Sequence, residues 1–174
     1  PIVSKITEDK SLRTHILSVI VTHPGIKKEE LLEFFLQTLG GLQTSKATLS
    51  FAINISLRFL SSQQLIIKKG ERYAGTAFGK KTSMLYIDPL TATYFRDAID
   101  NVSEQRKHTF GFLHLITNCE EFFPKFSLRN KDYESTSLMI ENQSSELIEP
   151  ISEYDCSRSL LALQMWITES SELS

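Results

Sequence analysis

Three apolar faces recur at helical spacing in the first 61 residues, and a β-branched run follows them directly. Leu12, Ile16, Leu17 and Ile20 predict an amphipathic helix over 8–22, with Thr7 or Asp9 as N-cap and His23-Pro24-Gly25 as the stop. Leu31, Leu32, Phe35 and Leu39 predict a second, from Lys27 to about Leu39, closed by Gly40-Gly41 as a helix C-terminus. Thr44 or Ser45 caps a third, to about Ser61, built on Leu49, Ile53, Leu57 and Leu60. The run Leu65-Ile66-Ile67-Lys68-Lys69 then ends at Gly70, and a second extended stretch through Tyr73 completes a small hairpin. Three helices followed by a hairpin is the order of a winged helix-turn-helix.

Beyond the hairpin the periodicity stays helical. Gly79 to Tyr86 reads as a helix, and Asp88-Pro89 is a start signal, with an Asp to cap and a Pro at the first helical position. That helix runs to about Val102 with Leu90, Tyr94, Phe95, Ala98 and Val102 on one face; others follow over Thr109–Asn118, Asn130–Asn142 and Ser157 to about Ser171. The last carries Leu160, Leu163, Trp166 and Ile167, with Trp166 assigned to the core. Phe122–Leu128 and the polar stretch Gln143–Glu153 read as connectors or a mobile surface insertion. The expected fold is mainly α: a winged helix-turn-helix of three helices and a small β-hairpin over 1–80, then the first helices of an α-helical bundle over 81–174. Pro1 and Ser174 look like cut ends, so the bundle is expected to be truncated.

A composition of 41% hydrophobic and 23% charged residues suits a packed domain and argues against disorder. The strongly apolar run around Ile16–Val21 is far short of the ~20 residues that span a bilayer, and no secretion signal opens the chain, so no membrane role is expected. Cys119 and Cys156 are too few for a disulfide framework and read as buried, reduced thiols of a cytoplasmic protein.

The chemistry of an active site is missing. Gly75 to Thr82 imitates a phosphate-binding loop, but three residues separate Gly75 and Gly79 where four are needed, and Lys81 stands where the hydroxyl belongs. His15, His23, His108 and His114 lack metal-ligand spacing, and His114 reads as a packed or partly exposed helix residue. No nucleophile elbow occurs. Neither an independent active site nor a cofactor is expected in this segment.

Charge is more informative. Residues 27–81 carry a net +5 and residues 82–174 a net −8, so the basic part is the winged helix. Lys46 at the start of the third helix, Lys68, Lys69 and Arg72 on the hairpin, and Lys80 and Lys81 after it are the candidate nucleic-acid-binding residues. A wing can set such cations against phosphates, where each displaces condensed counterions. The third helix offers few Arg, Asn or Gln for base edges, which argues against sequence-specific reading.

The stretch Thr76 to Ile99, TAFGKKTSMLYIDPLTATYFRDAI, resembles the junction after the winged helix in Ski2-like helicases of superfamily 2, most closely the archaeal HelQ-type DNA repair helicases. Thr76, Gly79 and Ser83, then Tyr86-Ile87-Asp88-Pro89-Leu90, carry the resemblance; Ala77 departs from it, at a place where Pro is frequent. Leu12 to Ser18, Leu113-His114-Leu115-Ile116, and Trp166-Ile167 with Glu169 and Glu172 support it. The resemblance implies a parent enzyme that unwinds DNA 3′ to 5′ with ATP and Mg in RecA-like motor domains outside this segment, in repair of stalled forks. It further implies that the winged helix braces those motor domains, that partners are forked or single-stranded DNA and the motor itself, and that the protein is monomeric. Two alternatives remain: a winged-helix transcription regulator that dimerises through its helical tail, and an assembly module of a Ski2-like RNA helicase.

Overall fold

A computed structural model of the protein describes residues 9–102, 108–126, 133–150 and 157–168. The architecture is mainly helical with one small three-stranded antiparallel sheet, a winged helix followed by further helices. Its elements are α1 (Asp9–Thr22), β1 (Ile26–Lys27), α2 (Lys28–Leu36), α3 (Leu39–Gln43), α4 (Lys46–Ser62), β2 (Ile66–Lys69), β3 (Arg72–Gly75), α5 (Ala77–Leu85), α6 (Pro89–Asp100), α7 (Thr109–Asn118), α8 (Tyr133–Glu141) and α9 (Ser157–Ile167). The chain forms two compact units, Pro1–Thr93 and Tyr94–Ser174.

In the first unit, Leu12, Ile16, Leu17 and Ile20 of α1 meet Leu31 and Phe35 of α2, Leu49, Ile53 and Leu60 of α4, and Leu65 and Ile66 at the sheet. All of these side chains are fully buried, each contributing roughly 1.5–3 kcal/mol by leaving water. Ser45 caps α4 as its sequence suggests, its hydroxyl accepting from the Thr48 N–H at 3.1 Å. The suggested α1 cap Thr7 lies outside the described residues.

Two features differ from the sequence expectation. Gly40-Gly41 does not end the second helix: α2 stops at Leu36, and both glycines sit inside the short α3. Thr38 makes the break, donating to the Phe35 carbonyl at 2.7 Å and accepting from the Gly41 N–H at 3.2 Å, so it caps α3. Gly41 is needed for contact and not for a turn, since a Cβ there would lie 2.1 Å from the Phe35 carbonyl oxygen. The hairpin also has a third strand. Gly25, at φ +91°, turns the chain after α1 and donates to the Tyr73 carbonyl at 2.8 Å, aligning β1 with β3. The sheet order is β1-β3-β2.

The second unit is built on Phe110 and Leu113 of α7, Ile140 of α8, Leu160 and Leu161 of α9, and Leu147. The connector is packed over residues 143–150: it forms a 3-10 turn at Ser144–Glu146, and a Cβ on Gly111 would come within 2.5 Å of the Glu146 carbonyl oxygen. Residues 151–153 of that stretch, 127–128 of the other connector, 130–132 and 169–171 of the expected helices, Cys156, Glu169 and Glu172 lie outside the described residues. Trp166 corrects an expectation. It is 75% exposed, because α9 buries Ser157, Ser159, Leu160 and Leu161 near its start and its exposure rises toward Ile167.

Candidate nucleic-acid interface

The junction after the wing is held by a short series of interlocking groups. Thr76 accepts from the Gly79 N–H at 3.0 Å, capping α5, while donating to the carbonyls of Gln64 at 2.8 Å and Leu65 at 3.1 Å. Gly79 lets α5 touch the chain entering β2: a Cβ would sit 1.9 Å from the Leu65 carbonyl oxygen. Gly75 does the same for α1, with a Cβ 2.7 Å from a Val21 methyl. The two glycines that imitate a phosphate loop are therefore filled by helix packing, and the residues present do not fit a nucleotide.

Asp88 is the other fixed point. Its carboxylate, 3% exposed, receives Arg13 Nε at 2.6 Å and Nη2 at 2.5 Å and accepts the Leu90 N–H at 3.0 Å. One side chain thus ties α1 to the start of α6 and caps that helix, with Pro89 behind it. The Arg13 guanidinium also lies over the Phe59 ring, 5.9 Å from its centre. Tyr86 closes α5 in the left-handed region, at φ +60°.

All six candidate cations, Lys46, Lys68, Lys69, Arg72, Lys80 and Lys81, are exposed, and those on the hairpin divide between its two faces. Strand pairing separates Lys68 from Lys69. The register sets Lys69 opposite Arg72 and Lys68 opposite Tyr73, so the two lysines point to opposite faces. Lys68 is occupied locally, 3.7 Å from Glu71 and over the Tyr73 ring. Arg72 and Lys69 share the outer face, and β1 adds Lys27 to it, opposite Arg72. Lys27 is the residue that the sequence reading missed. Only its pairing to β3, 45 residues along the chain, brings it there. Lys80 lies on α5 with its stem beside Gly75, Lys81 follows it on that helix, and Lys46 opens α4.

The outward face of α4 differs from that of a base-reading helix. It exposes Ala47, Thr48, Phe51, Ile55 and Arg58, with Phe51 67% and Ile55 49% exposed. Phe34 on α2 and Leu39 and Leu42 on α3 are exposed as well.

Ionisable chemistry is sparse elsewhere. In the second unit Tyr94 donates to the Glu149 carboxylate at 2.7 Å, and burial followed by that carboxylate pushes its hydroxyl up to about 12. His114 is buried, which lowers its pKa, and its Nδ1 meets no hydrogen-bond partner among the described residues. Among the described residues no three His, Cys, Asp or Glu side chains gather as metal ligands, and no helix is long and apolar enough to cross a membrane.

No family model matches the chain. It is similar, however, to archaeal proteins named ATP-dependent DNA helicase Hel308: 28% identical over 98% of its length to that of Methanocella arvoryzae, and 31% over 76% to that of Methanocaldococcus jannaschii. The protein of Thermoplasma acidophilum is 28% identical over 98% of the chain. The matched segment is 24% of the Methanocella and Thermoplasma proteins and 11% of the Methanocaldococcus protein, so the chain spans a quarter or less of these relatives. The chain is thus related to the Ski2-like Hel308 helicases and similar, along most or nearly all of its length, to one segment of them.

Proposed function

We propose that this chain is an accessory, non-ATPase segment of an ATP-dependent DNA helicase that unwinds 3′ to 5′ in the repair of stalled replication forks. Similarity to Hel308 helicases over 98% of the chain carries the reading. ATP and Mg belong, on this reading, to RecA-like motor domains of the full-length protein. The segment covers a winged helix and the opening of a helical bundle.

Within that frame the winged helix has two jobs on two surfaces. The exposed Phe51 and Ile55 of α4 brace the motor domains, because apolar side chains dock on protein and cannot hydrogen-bond base edges. The outer face of the wing contacts DNA backbone through its cations. Replacing Phe51 and Ile55 together by Ser in the full-length protein tests the division. The expected result is less duplex unwound per ATP hydrolysed at unchanged DNA affinity. Lost affinity with unchanged coupling would make α4 a DNA-contacting helix instead.

A further inference from the structure

We propose that Lys27, Arg72 and Lys69 form a three-cation track that holds successive phosphates of a DNA strand, with Lys27 as a DNA-binding residue. This rests on the reading that the full-length protein works on DNA.

Registration makes the track. Lys27 pairs with Arg72 and Arg72 with Lys69, and directly opposite residues of an antiparallel sheet project from the same face. Ile67 and Ala74 share that face, while Ile26, Ile66, Lys68 and Tyr73 take the other. Three like charges side by side are unfavourable by themselves. Compensation within the protein is missing: among the described residues no carboxylate pairs with Lys27, Arg72 or Lys69. Arg72 Nη1 donates to the Gly25 carbonyl at 2.8 Å, which fixes the guanidinium above β1 but leaves its charge and its other donors available. The Glu30 carboxylate accepts the backbone N–H of Lys27 at 2.8 Å and holds the strand end in place. Such a row is open to an external polyanion.

Spacing is compatible with a nucleic-acid backbone, the polyanion that the proposed function supplies. Strands lie about 4.8 Å apart, so the outer cations are separated by roughly 10 Å. Along one strand of a duplex, phosphates rise about 3.4 Å each, so three of them span about 7 Å of axis. Long Lys and Arg stems can take up the difference from roughly 10 Å, which allows one cation per phosphate.

The test is DNA binding by the full-length protein without ATP, followed by fluorescence anisotropy on a 3′-tailed duplex between 50 and 200 mM salt. Each lost phosphate contact should flatten the log–log salt slope by about 0.9 on duplex or about 0.7 on single strand. Over that range Lys27→Gln should therefore lose about 3-fold less affinity than the parent does, and Lys69→Gln should match it. Lys27→Arg should restore the parent slope, and Lys10→Gln, on the exposed start of α1, should leave it unchanged. Unchanged thermal unfolding of each variant excludes a folding defect; should Lys27→Gln unfold, Lys27→Arg and Lys69→Gln decide. A parent-like slope for Lys27→Gln, no rescue by Lys27→Arg, or competition by polyglutamate equal to that of DNA would each overturn the track. If the protein still unwinds DNA, only the track has failed. A protein that neither binds nor unwinds DNA removes the underlying reading as well.

Discussion

Gly79→Ala should be among the most damaging single-methyl changes in the chain. The added Cβ would lie 1.9 Å from the Leu65 carbonyl oxygen and 2.8 Å from its carbon, both backbone atoms that cannot swing aside. Relief requires α5 to move outward by an ångström or more, since ordinary carbon–oxygen contact needs well over 3 Å. That movement strains the Thr76 N–H to Leu65 carbonyl bond at 3.0 Å and both hydroxyl bonds from Thr76. Overpacking costs about 1–3 kcal/mol and each weakened hydrogen bond about 1, against a helix-propensity gain of at most about 1 for Ala over Gly. The net is a loss of roughly 3 kcal/mol. Gly70→Ala is the control: its φ is +60°, but no atom lies within 4 Å of the new methyl, so backbone strain of about 1 kcal/mol is the whole cost. Urea unfolding of both variants followed by circular dichroism gives the comparison. If Gly79→Ala lies within about 0.5 kcal/mol of the parent, α5 does not abut Leu65 and the structural account of the junction is wrong.

Other perturbations follow from the same contacts. Asp88→Asn keeps an acceptor for Leu90 but removes the carboxylate that the Arg13 guanidinium holds through two nitrogens, and should cost about 3 kcal/mol in denaturant unfolding. His114 is held neutral by burial, so its folded pKa lies below the usual 6.5; its stabilisation is present above 6.5 and is lost as pH falls below it. His114→Gln should flatten the melting temperature between pH 7.5 and 5.5, and an unaltered pH dependence would count against that environment. For Tyr94, raised to about 12, stability is full below pH 10 and declines from there toward 12. Tyr94→Phe should abolish that alkaline decline and cost about 1 kcal/mol for the bond to Glu149.

The local signals in the chain proved readable where the cause is local. Ser45 caps α4, Asp88 and Pro89 start α6, and Thr109–Asn118 matches α7, because capping hydroxyls, carboxylates and apolar spacing act within a few residues. Contacts made at a distance stayed hidden. Gly40-Gly41 reads as a helix end, yet Gly41 is there to let α3 touch the Phe35 carbonyl. The two residues of β1 carry no strand periodicity and become a strand only by pairing with β3, which is why Lys27 escaped notice. For the same reason six cations that look alike in sequence divide by register and element, with Lys68 facing Tyr73 and Lys69 facing outward. Trp166 looks like core by its helical spacing, but spacing cannot say that α9 buries its start and exposes its end.

On the proposed function, this chain serves a DNA-unwinding motor. Strand displacement by the full-length protein, with ATP and Mg, on DNA duplexes carrying either a 3′ or a 5′ tail tests it most directly. The expected result is displacement of the 3′-tailed DNA duplex, dependent on ATP hydrolysis, and little of the 5′-tailed one. Hydrolysis with no DNA displacement, or displacement of RNA duplexes alone, would contradict it.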